Sequence, residues 1–248
     1  MFFVKFIRVF PGFCVLFVLS GCYSIVAKKE FKAKLKTCYT NTKSTNGRVE
    51  IDLNGYYLMY EEGNSSYRAN DAPLFQKGDS TPIYMFFFKD GIFLDNFLHR
   101  NLNPEYVQNY FNNIYGTIAD TIEEFNKSSW WGSYDILGDT VKAQFFYIGH
   151  INDWFGREYW FKIIDRQTIK LIFAYPIGIS VTKEQLEEYW FNNDRFSPGR
   201  LVPLQKLPSS DCWLKKEKWF WCDENQWREY MNANGYKIKR KDRIKEND

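Results

Sequence analysis

The stretch "REYWFKIIDRQTIKLIFAY", Arg157–Tyr175, says most about the fold. Tyr159, Phe161 and Ile163 alternate with Glu158, Trp160 and Lys162; beyond Asp165-Arg166-Gln167, the residues Ile169, Leu171 and Phe173 alternate with Thr168 and Lys170. Successive side chains of a strand point to opposite faces, so a period of two marks one buried face and one wet face. With three polar residues at its centre, the stretch predicts an antiparallel hairpin whose apolar side is covered.

The same pattern repeats on the N-terminal side. "PIYMFFFKDGIFLDNFL" (Pro82–Leu98) is two strands around Asp90-Gly91, a dipeptide suited to tight hairpins. "GSYDILGDTVKAQFFYIG" (Gly132–Gly149) turns at Gly138-Asp139, where a leading glycine fits a type II′ turn. "IDLNGYYLMYEE" (Ile51–Glu62) is a further aromatic strand. One segment breaks the series. From Asn103 to Lys127, Asn103 supplies an N-cap, Pro104 takes the first helical position, and apolar residues recur at three- and four-residue spacing. It predicts a long helix lying on the β-domain with Tyr110, Phe111, Ile114 and Ile118 buried, covering a sheet face or, alternatively, closing one end of a barrel. A capping box, Thr182 with Gln185, opens another helix, and a short one should run from Asp223 to just before Gly235.

The fold class expected is mainly β with added helices (α+β). An antiparallel meander should form a barrel or sandwich, with one long packed helix and a mixed C-terminal region. Closure would remove exposed strand edges. The segments "GSYDILGDTVKAQ" and "FKIIDRQTIKL" resemble those of lipocalin-like domains in bacterial lipoproteins, over about Ile51 to Tyr175. The resemblance implies an eight-strand-like barrel with an inner cavity of the kind that holds apolar ligands. It carries no catalytic residue.

The N-terminus sets the address. Lys5 and Arg8 precede an uncharged, mostly apolar run from Val9 to Leu19, and Leu19-Ser20-Gly21-Cys22 follows. That tetrapeptide, in that position, resembles the bacterial lipobox. The resemblance implies diacylglyceryl attachment at Cys22 and cleavage before it. The alternatives are an uncleaved membrane helix over Val9–Ala27 and an ordinary secretory signal. All three place the globular part outside the cytoplasm. The organisation expected is a signal peptide at 1–21, a lipid-anchored basic linker at 22–47, a β-rich domain with a helical C-terminal part at 48–236, and a charged tail at 237–248. Tyr23 lacks the aspartate associated with inner-membrane retention, which points to the outer membrane of a bacterial envelope.

Without residues 1–21, 227 residues remain, with 31 basic and 30 acidic side chains. That balance does not suggest nucleic-acid binding by bulk charge. Aromatic residues make up 20% of the chain and favour strands over a helical bundle. Cys38, Cys212 and Cys222 remain after the signal and the lipid site are set aside. An oxidising compartment permits one bridge; three pairings exist and Cys212–Cys222 is the local one, the alternative being three buried thiols.

Chemical motifs are sparse. There is no HExxH, CxxC, G-x-S-x-G or P-loop, and no cofactor or metal site is expected. His150 near Asp153 and Glu158 reads as a surface hydrogen-bonding group, as do the pairs Glu61-Glu62 and Glu123-Glu124 as solvated carboxylates. Asp139-Thr140-Val141, Asp120-Thr121-Ile122 and Asp79-Ser80-Thr81 match a bacterial O-glycosylation acceptor pattern that turn and helix chemistry explain equally well. The tryptophan clusters Trp130-Trp131, Trp154-Phe155 and Trp219-Phe220-Trp221 are the most distinctive feature, read mainly as core and sheet packing. The expected function is a non-catalytic envelope module, anchored to the membrane by its lipid, that either binds an apolar small molecule, a glycan or an envelope protein or serves as a structural subunit of an envelope complex. The alternative is an envelope hydrolase with carboxylate catalysis.

Overall fold

The computed structural model describes residues 38–40, 51–62, 80–95, 103–114, 130–148, 154–177 and 196–238. Eight strands close an antiparallel barrel in chain order, β1 to β8. They are β1 (Gly55–Glu61), β2 (Thr81–Phe87), β3 (Ile92–Asp95), β4 (Trp130–Leu137), β5 (Thr140–Ile148), β6 (Trp154–Asp165), β7 (Thr168–Ile177) and β8 (Gly199–Pro203), with β8 returning to β1 through Gly55↔Pro203 to Leu58↔Arg200. The three hairpin turns fall where the sequence puts them. Gly91 and Gly138 take left-handed backbone (φ 88° and 65°), which a side chain would strain. Gly132 is glycine for a different reason: a Cβ there would sit 1.6 Å from the Gln144 carbonyl oxygen on β5.

The lumen is filled. Tyr57, Met85, Phe87, Phe93, Tyr134, Phe145 and Phe161 are all between 0 and 5% exposed. Phe87 of β2 meets Phe161 of β6 across the barrel at 6.0 Å between ring centroids, and Tyr134 of β4 at 5.1 Å. Eight strands enclose just enough space for such side chains to occupy. One end is closed by the chain entering β1. Ile51 is 3% exposed, Asp52 N–H donates to the Arg166 carbonyl, and the Tyr57 hydroxyl donates to the carbonyls of Asp52 (3.1 Å) and Arg166 (2.9 Å).

The β6–β7 hairpin shifts register at two points, one beside the turn between Ile163 and Asp165 and one farther along. Tyr159, Phe161, Ile163, Ile169 and Leu171 face the lumen as expected, but the register shifts between Trp160↔Phe173 and Phe161↔Leu171. The extra residue, Ile172, forms a bulge that reverses the parity of β7. Phe173 therefore turns outward, against Trp160 at 5.3 Å, and Ala174 takes the inward place. Leu171→Ala should cost about 2–4 kcal/mol and Phe173→Ala less than about half of that, measured by urea unfolding.

A second core lies outside the barrel. Tyr56, Tyr84, Phe86, Ile92, Leu94, Trp131 and Phe146 point outward from β1 to β5 and are nevertheless 0–2% exposed. They are covered by a cap: two short 3-10 turns (Trp213–Lys216 and Lys218–Phe220), a helix, and the segment around Tyr39. The cap helix Glu224–Ala233 starts at Asp223, whose carboxylate accepts from Asn225 N–H, and ends ahead of Gly235 (φ 66°), as expected.

One expectation is met only in part, and two are corrected. The helix α1, Pro104–Asn109, does begin on an Asn103 cap and passes into a π-helical turn at Tyr110–Ile114, so the described part of the expected helix is helical but not regular α-helix throughout; residues 115–127 lie outside the described residues. Val107 and Phe111 seat it on the outer sheet face, Phe111 against Phe86 at 5.1 Å, whereas Tyr106 is 51% exposed. Of the side chains expected to be buried, Phe111 is, Tyr110 is half-buried, and those of Ile114 and Ile118 are not described. The bridge is Cys38–Cys222, with a Cα separation of 4.9 Å, not Cys212–Cys222; Cys212 is a buried free thiol. The stretch between Cys212 and Cys222 winds into 3-10 turns, so the two cysteines are not set opposite one another on paired strands. Finally, the linker does not run unbroken to residue 47. Tyr39 is 2% exposed, stacked on Phe220 at 5.1 Å and edge-on to Trp221 at 4.7 Å, and its backbone pairs with Phe220 and Cys222. The helix expected from Thr182, both histidines, Glu123-Glu124, Asp120-Thr121-Ile122 and Cys22 lie outside the described residues.

Candidate functional site at the long-loop end

The two ends of the barrel differ. Tight turns join β2–β3, β4–β5 and β6–β7 at one end, and the connections leaving β1, β3, β5 and β7 at the other are longer. At that second end the lumen-facing positions change character. Trp130, Tyr147 and Phe155 line up as near-parallel rings, with centroids 4.4 Å apart (18°) and then 5.2 Å apart (18°). Phe145 continues the stack inward, 5.7 Å from Trp130 at 12°. Register explains the grouping: Tyr147 pairs with Phe155, Phe145 with Arg157 and Asp95 with Trp130, and each lies on the inward parity of its strand.

Arg157 is the charged member. Its guanidinium is 5.8 Å from the Trp130 ring centre, within cation–π range. Burial works against its charge; Tyr159, Tyr147 and Asp95 outweigh it, so the group is held more firmly protonated than usual. An arginine cannot serve as a proton acceptor here. What the cluster offers is a half-buried, fixed positive charge beside flat π faces, with Phe155 exposed at the rim (36%).

Elsewhere the ionisable groups hold structure together. Lys215 is 7% exposed and reaches Asp90 at 2.6 Å, which also accepts from the Ser210 hydroxyl at 2.7 Å. This ties the cap to the β2–β3 turn. Lys215→Met should destabilise by about 2–4 kcal/mol, since it strands the Asp90 carboxylate, and the double change with Asp90→Asn should recover part of the loss; thermal unfolding of the three variants checks it. The hydroxyls of Tyr230 and Tyr236 donate to Asp211. Glu158 accepts from Gln144 and Trp160 and pairs with Lys142. Lys162 holds the Asp139 carboxyl below the usual range, and the Thr140 hydroxyl also donates to it. Among the described residues, no three His, Cys, Asp or Glu side chains are grouped to hold a metal, and no helix is long and apolar enough to cross a membrane.

Cys212, offered by the sequence as a bridge partner, sits in the cap where burial pushes its thiol up to about 12. It should resist maleimide at neutral pH and react once the protein is denatured, because the thiolate is the nucleophile. Trp130 and Trp131 point to opposite faces, but both faces are covered at Trp131, which is 0% exposed. Trp221 and Trp227 are also buried, and Trp219 packs on Phe146. The Trp130–Arg157 grouping was missed by sequence reading. Its signal was there: an arginine on the apolar parity of β6, two residues before Tyr159.

Comparison with protein-family models, curated proteins and solved structures gives no match.

Proposed function

We propose that this chain is a lipid-anchored protein of a bacterial cell envelope, with a lipocalin-like barrel that acts as a non-catalytic binding module. Its ligand is an apolar molecule bearing a negative charge, taken at the Trp130–Arg157 end. The observation that carries this reading is the run of parallel rings, Trp130, Tyr147 and Phe155, beside a permanently charged guanidinium. A flat apolar group can extend such a stack, and an anion can share the cation. Because Phe87 and Phe161 meet across the middle of the lumen, the ligand would lodge at the end and not run through. The same filling favours the second reading, in which the module engages a glycan or protein on its outer surface near Trp160, which is 37% exposed.

The probe 1-anilinonaphthalene-8-sulfonate, flat, apolar and anionic, separates the two. It should bind the native protein at one site, and Trp130→Leu or Arg157→Met should each weaken it tenfold or more, about 1.4 kcal/mol, while Trp160→Ala leaves it unchanged. Dependence on Trp160 with indifference to Trp130 would overturn the end-site reading. The anchor has its own check. Membrane-extracted protein should have lost residues 1–21 and gained a diacylglyceryl mass at Cys22, and Cys22→Ala should abolish both.

A further inference from the structure

We infer that the cap is the side this protein turns toward its membrane, and that what it meets there is a layer of anionic lipid headgroups. The inference rests on the lipid-anchor reading above and adds an orientation to it. Both described ends of the chain join the body at the cap. Cys38 is bonded to Cys222 and Tyr39 is clasped by Phe220 and Trp221. From Tyr39, ring contacts lead to Trp221 (4.7 Å), on to Tyr230 (5.4 Å) and then to Tyr236 (6.0 Å), after which the C-terminal residues begin. Entry and exit are therefore neighbours on one corner of the molecule.

Charge is divided along the same line. Residues 22–37 carry five lysines and one glutamate, and residues 237–248 carry six basic and three acidic side chains. Between them, residues 38–236 carry 20 basic and 26 acidic side chains, a net −6. An anionic bilayer attracts basic segments close to it and repels acidic ones within a Debye length. An acidic body with both of its basic segments rooted at one corner is drawn to that surface by the corner. The bridge sharpens this: it ends the tether at Cys38, 16 residues from Cys22, which caps the reach at about 55 Å when fully extended. The outer face of β6–β7, with the paired Lys162 and Lys170, lies outside the cap-covered core.

Amine footprinting of the acylated protein tests the orientation. It is reconstituted in vesicles of phosphatidylcholine alone and of equal parts phosphatidylcholine and phosphatidylglycerol, acetylated briefly, and mapped by mass spectrometry. Lys216 and Lys237 of the cap should react about fivefold more slowly on the anionic vesicles, with the difference lost at high salt, while Lys162 and Lys170 react alike on both. Reversing charge in the tail (K239E, K241E, K245E) should restore much of the cap reactivity. Equal reactivity of the cap lysines on the two vesicles, or protection of Lys162 and Lys170 instead, overturns the orientation while leaving the anchor intact. Release of the protein from neutral vesicles on washing overturns the anchor reading itself, and the orientation with it.

Discussion

Cys222→Ser is expected to lower stability by about 4–5 kcal/mol and the melting temperature by roughly 10–15 °C. The bridge spans a sequence separation of 184 residues, so it removes far more freedom from the unfolded chain than a local bridge would. In the folded protein it also keeps Tyr39 between Phe220 and Trp221, at the edge of the outer core. Cys38→Ser should match Cys222→Ser closely, since each breaks the same bond. Cys212→Ala, in contrast, should cost no more than about 1–2 kcal/mol. Denaturant melts with and without reductant measure all three. Equal losses from Cys212→Ala and Cys222→Ser, with Cys38→Ser neutral, would point to the local bridge instead.

Phe87→Ala is expected to cost about 3–5 kcal/mol. Its ring touches those of Tyr57, Phe93, Tyr134 and Phe161, which belong to four other strands, so truncation opens a void that no single neighbour can fill. Phe87→Leu should cost much less. The readout is the urea midpoint at unchanged slope. A fully stable Phe87→Ala variant would mean that the lumen is open at its middle, and the ligand would then belong inside the barrel rather than at its end.

The β-meander was legible because its signals are local. Alternation in β6, the Asp90-Gly91 and Gly138-Asp139 turns, and the Asp223 cap each depend on a few adjacent residues, and each appears in the structure where those residues are. The misses are non-local. The Cys38–Cys222 bridge joins the two ends of the chain, and two residues inside a run of Lys, Thr, Ser and Asn do not reveal that they dock. The bulge at Ile172 leaves no mark in composition, so Phe173 reads as buried until the pairing with Trp160 is seen. The π-turn at Tyr110–Ile114, which carries Phe111 against Phe86, is likewise not marked by the three- and four-residue spacing. The Trp130–Arg157 site assembles across the neighbouring strands β4, β5 and β6 through their mutual register, which no single segment encodes.

The N-terminal segment, fastened to the cap by the Cys38–Cys222 bridge, closes the outer core of the barrel. Non-reducing peptide mapping of the natively expressed protein decides the pairing. The predicted result is one disulfide-linked peptide pair containing Cys38 and Cys222, with Cys212 recovered as a free thiol only after denaturation. A Cys212–Cys222 pair, or three free thiols, would contradict it.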